Sequence, residues 1–104
     1  MLRDKIEVEN IAKGLLIASI NAYLKGNGET KIVFSADEIA RAAGFEDAKS
    51  ARETIHEAMR ALQDISISYD NFETRIVTAT FLKDDNCIID LVEGVVSLFK
   101  LIET

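Results

Sequence analysis

The sequence predicts a single α+β domain, and three observations predict it. Apolar residues recur at helical spacing as far as Leu62, alternate with polar ones from Ile65 onward, and return to helical spacing after Gly94. At 104 residues the chain matches the usual length of one domain, so 1–104 reads as one unit. Its 48% apolar content is enough for a core, and its 29% charged content covers the outside.

The elements follow in order. From about Asp4 to Lys25, Ile11, Leu15, Ala18 and Ala22 form one stripe, and Leu16, Ile20 and Tyr23 form the next. Ile17 and Leu24 widen that arc, so this helix is apolar on more than one side. Gly26 is expected to end it in a left-handed conformation. Lys31-Ile32-Val33-Phe34 is a short β-branched and aromatic run, hence a strand. Ser35 with Glu38 three residues on reads as a capping box for a helix to about Ala43, and Gly44 stops it. Asp47 caps the next helix, with Ala48, Ala51, Ile55, Ala58, Met59 and Leu62 inward and Lys49, Arg52, Glu53, His56 and Arg60 outward. Ile65–Tyr69 and Arg75–Leu82 read as strands, Asp84-Asp85-Asn86 as a turn, and Cys87–Leu91 as a third strand. Val95, Leu98, Phe99 and Ile102 mark the closing helix.

Two helices joined by a glycine turn make a helix-turn-helix. With a strand before them and a β-hairpin after, the predicted fold is a winged helix.

Charge narrows the function. Twelve Lys and Arg against eighteen Asp and Glu give a net charge of −6. Residues 1–28 carry +1, residues 29–63 carry −2 and residues 64–104 carry −5. Affinity for DNA comes from neutralising phosphates, so DNA contact requires a local basic face, and protein partners are favoured. The longest apolar run, Leu15–Ala18, is far below the roughly 20 residues of a membrane span. No secretory leader is evident, and the single cysteine, Cys87, fits a reducing cytoplasm.

Enzymatic chemistry finds no support in the sequence. His56, the only histidine, lies between Arg52 and Arg60 on an outer helix face, and Cys87 follows Asp84 and Asp85, whose charge raises a thiol pKa. Neither a phosphate loop, a nucleophile elbow nor a metal-ligand series occurs, so no cofactor or metal is expected. For DNA, the exposed residues of the second helix would be Lys49, Ser50 and Arg52, with Arg60 further along. Against them, Asp37–Arg60 holds four basic and six acidic residues, and the wing tip carries Asp84 and Asp85. The apolar surplus of the first and last helices points instead to a second copy of the chain, through Leu16, Ile20, Tyr23, Phe99 and Ile102.

Several segments carry a resemblance. They are Asn10-Ile11-Ala12-Lys13-Gly14-Leu15-Leu16-Ile17-Ala18-Ser19-Ile20, the strand and capped helix Ile32–Ala40 with Ala43-Gly44-Phe45, the helix running into a strand at Ile55–Ile67, and Cys87–Leu91 with Val95–Phe99. Together they resemble the N-terminal winged-helix half of plasmid replication initiators, the Rep proteins that bind origin repeats. The resemblance implies a role in initiating plasmid DNA replication, as a homodimerising domain that adds backbone contacts to origin DNA. A second winged helix in the full-length protein would read the repeat. Two other readings fit the same elements. One is a winged-helix transcriptional regulator that binds its operator through Lys49, Ser50 and Arg52; the other is an interaction adaptor without DNA contact.

Overall fold

Helix α1 (Lys5–Lys25) opens the computed structural model, which describes residues 5–26, 28–69 and 71–103. Its Ala12, Leu15, Ser19 and Tyr23 are buried. Ser19, the one polar residue in its most apolar stretch, satisfies its hydroxyl by donating to the Leu15 carbonyl at 2.7 Å. Gly26 does not take the expected left-handed conformation; its N–H bonds the Tyr23 carbonyl at 3.3 Å, and Gly28 is the residue with φ +89°. A Cβ at position 26 would lie 3.1 Å from the Ala22 carbonyl oxygen, a tight contact that a larger residue would relieve only by shifting the helix end a few tenths of an ångström.

Strand β1 (Lys31–Ser35) leads directly into α2 (Ala36–Ala42), and α3 (Ala48–Gln63) follows. Ser35 caps α2 by accepting from the Glu38 N–H at 3.4 Å. Gly44, at φ +91°, turns the chain between the helices. The Asp37 carboxylate, in the first turn of α2, accepts from the Ala48 N–H at 2.8 Å, tying α2 to the first turn of α3. The inward set of α3 is buried as its spacing predicts, with Thr54 added and Ala48 only half-buried.

Strands β2 (Ser66–Tyr69) and β3 (Phe72–Arg75) form their own antiparallel hairpin. Strands β4 (Val77–Lys83) and β5 (Asn86–Leu91) form another, to which β1 adds, so the main sheet has the order β1-β5-β4. The single strand expected over Arg75–Leu82 is thus divided at Ile76. That residue is 3% exposed, and its carbonyl accepts from the Val92 N–H at 2.8 Å. The chain crosses from one sheet to the other there and buries a side chain as it does so. Helix α4 (Glu93–Glu103) closes the described chain.

The helices cover one face of the main sheet. Ile32, Ile89, Leu91 and Val77 join Ala12, Leu15, Ala58, Leu62 and Val96 in the larger core, and Cys87 meets Ala36, Ala40, Ala51, Ile55 and Met59 in a smaller one. The other face stays open. Val33 and Phe81 both lie opposite Ile88 in the register, and they are 55% and 51% exposed. Side chains alternate across a strand, so the two flanking rows, Lys31–Asp90–Ala79 and Ser35–Asn86–Lys83, share that open face. The architecture is therefore α+β, with four helices and a small antiparallel sheet among the described residues.

Candidate nucleic-acid interface

Helix α3 begins with a complete capping box. The Asp47 carboxylate accepts from the Ser50 N–H at 2.9 Å, and the Ser50 hydroxyl accepts from the Asp47 N–H at 3.4 Å and donates to the Asp47 carbonyl at 3.0 Å. Of the four residues expected to meet DNA, Ser50 is therefore engaged in holding the helix start. The Ser50 amide, then its hydroxyl, holds the Asp47 carboxyl below the usual carboxylate range. A carboxyl with a lowered folded pKa contributes stability above its unfolded value, about 3.9, and loses it as pH falls through the folded one. The Asp47→Ala variant is accordingly expected to melt below the wild type at neutral pH. Thermal melts from neutral pH into acid check this: the gap should close below the carboxylate range, and a constant gap would exclude the linkage.

Lys49 and Arg52, one turn apart on the exposed face, line a cleft of about 470 Å³ together with Asp84 and Asp85. These two aspartates are the two-residue tip of the β4–β5 hairpin, at φ 51° and 64°. That is the left-handed pair of a type I′ turn, which Asp and Asn tolerate. The Asp85 carbonyl accepts from the Ala36 N–H at 2.8 Å, pinning the tip to the start of α2. The cations expected to face DNA thus share their cleft with two carboxylates.

Arg60 lies elsewhere. Its guanidinium bonds Glu57 at 3.2 Å, with the Arg60 side chain largely and the Glu57 side chain about half in solvent, and it lines a second cleft of about 690 Å³ with Lys31, His56, Phe81 and Lys83. Gln63 donates to the Thr80 hydroxyl at 2.7 Å and joins α3 to β4 at the base of this cleft. Lys31, Phe81 and Lys83 were not singled out by sequence. Period two puts Phe81 and Lys83 on one face, but only the strand order brings Lys31 to them.

Burial alone silences Cys87: it is fully enclosed, and desolvation pushes its thiol up to about 11. The field of Asp84 and Asp85, the cause expected from the sequence, makes no contribution to that rise. Among the described residues no cluster of three or more His, Cys, Asp or Glu could hold a metal ion, and no helix is long and apolar enough to cross a membrane.

The residues expected to pair two copies are mostly used within one. Tyr23 is 3% exposed, while Leu16, Ile20 and Phe99 are half-buried against the larger core. The side chain of Ile102 lies outside the described ones. The apolar side chains left in solvent on the same two helices are Ile6, Ile17, Leu98 and Leu101, each more than half exposed.

Comparison with family models, with curated proteins and with solved structures finds no match to this chain.

Proposed function

We propose that this chain is the first winged-helix domain of a replication initiator of the plasmid Rep type, acting in the cytoplasm. In that role it pairs two copies of the protein and adds auxiliary contacts to origin DNA. On this reading α2 and α3 are the helix-turn-helix, the β4–β5 hairpin is the wing, β1 completes its sheet, and β2–β3 is an inserted hairpin. The element order and the sheet order β1-β5-β4 support it. The observation that carries the dimerising role is the apolar surface left exposed on the two terminal helices, Ile6 and Ile17 on α1 and Leu98 on α4. Scattered apolar residues are ordinary, but several on two helices that pack on each other favour a partner. An acidic surface with Asp84 and Asp85 beside Lys49 and Arg52 suits a domain that assists DNA binding and leaves base reading to a partner domain.

Sedimentation equilibrium tests the pairing. The wild type is expected to dimerise with rising concentration, and the Ile17→Glu and Leu98→Glu variants to sediment as folded monomers. A wild type that remains monomeric at the highest concentration reached would refute the dimerising role.

A further inference from the structure

We infer that the cleft along the β4 edge, lined by α3 on one side and by open-face residues of the sheet on the other, binds single-stranded nucleic acid, with a base on Phe81 and the flanking phosphates on Lys31, Arg60 and Lys83. In a chain where acidic residues outnumber basic ones by six, this cleft gathers Lys31, His56, Arg60 and Lys83, and no carboxylate lines it. No side-chain hydrogen bond or ion pair among the described residues engages Lys31, His56 or Lys83. Arg60 is bonded to Glu57, but that pair is exposed, and such pairs hold weakly enough for a phosphate to displace the carboxylate. Asp90, the register partner of Lys31, is the carboxylate nearest this surface in the sheet.

The floor selects the class of polyanion. Phe81, Ile88 and Val33 form one row across the three strands, and the Phe81 ring is half exposed. Lys31 on β1 and Lys83 on β4 sit in the rows on either side, four residues apart along the strands and two strands apart, or roughly 16 Å on the diagonal. At the ~3.4 Å rise of a stacked strand this spans about five nucleotides. An exposed aromatic ring among cations is the arrangement that holds single strands, because every unpaired base offers a π-face. A duplex keeps its bases stacked inside and offers Phe81 nothing, and an acidic peptide gains nothing specific from a flat ring. The inference is independent of the dimerising role and of duplex contact through Lys49 and Arg52.

Fluorescence anisotropy with labelled oligo(dT) of about 12 nucleotides, within the 4–16 that such grooves cover, tests it. Binding should weaken with salt with a log–log slope of roughly −2, about −0.7 for each of three phosphate contacts. Phe81→Ala should weaken binding about tenfold, and Phe81→Leu, which keeps apolar area and loses the ring, by a similar factor. The paired Lys31→Ala and Lys83→Ala changes should flatten the slope to about −0.7. Lys49→Ala with Arg52→Ala should leave oligo(dT) binding unchanged, and sedimentation of the same variants separates this result from any failure of dimerisation. Each variant changes exposed residues, and circular dichroism checks that it is folded. The inference is overturned if oligo(dT) does not bind, if Phe81→Ala and Phe81→Leu bind like the wild type, or if polyglutamate competes as well as unlabelled oligo(dT).

Discussion

Replacing Ile89 by alanine is expected to destabilise the domain by about 3 kcal/mol, within the 2–5 typical of buried isoleucine truncations. Ile89 is fully buried on β5, the central strand, between Ile32 of β1 and Thr80 of β4. Its side chain therefore packs where the sheet meets the helices, with neighbours held by ladder hydrogen bonds on both sides. Those neighbours cannot collapse far into the space it leaves, so the cavity term adds to the lost transfer energy. At about 4–8 °C per kcal/mol for a domain near this size, the melting temperature should fall by roughly 12–24 °C. Val33→Ala, on the open face of the same sheet and 55% exposed, should change stability by less than about 0.5 kcal/mol. Chemical denaturation of both variants checks the contrast. Equal losses would mean that the two faces of the sheet are not divided as the burial pattern divides them.

The helices were legible because their periodicity reports burial directly. In α3 the apolar spacing, the Asp47 cap and the outward charges all agree, and the predicted inward set is the observed one apart from Thr54 and the half-buried Ala48. The strands were less so, because alternation says which residues share a face and not which strands pair. Nothing local marks Ile76 as the point where one apolar run is divided between two sheets; the Val92–Ile76 hydrogen bond that fixes it joins distant parts of the chain. The same limit applies to the surface. Lys49 and Arg52 were identified from helical spacing, but their neighbours Asp84 and Asp85 lie some thirty residues later, and only the fold brings the hairpin tip to the helix. Tyr23 shows the converse limit: the width of the apolar arc does not say which of its members the protomer itself covers, and Tyr23 is buried while Ile17 of the same arc stays in solvent.

Neutralising the hairpin tip, with Asp84→Asn and Asp85→Asn together, is expected to raise affinity for duplex DNA roughly thirtyfold at low salt. The physical basis is that Asp84 and Asp85 share a cleft with Lys49 and Arg52. A phosphate drawn to those cations would also meet two carboxylates. At about 8 Å, each costs between about 0.5 kcal/mol in water and about 2 kcal/mol at a protein surface. Taking about 1 kcal/mol for each gives about 2 kcal/mol together, which is the factor of roughly thirty at 1.4 kcal/mol per decade. Asparagine is the substitution to use because both positions are left-handed, at φ 51° and 64°, and asparagine is tolerated there where a lysine would strain the turn. The hairpin and its bond from Ala36 to the Asp85 carbonyl are thus kept while the charge is removed. Screening sets the second signature: with a Debye length of about 8 Å at 0.15 M ionic strength, the gain should shrink severalfold between low and physiological salt. Anisotropy titrations with a labelled duplex, with and without Arg52→Ala added, measure both. A gain that Arg52→Ala abolishes places the duplex at this cleft and the carboxylates as its brake. An affinity that the asparagines leave unchanged would mean that duplex DNA never approaches the hairpin, and the auxiliary DNA contact proposed for α3 would have to be given up.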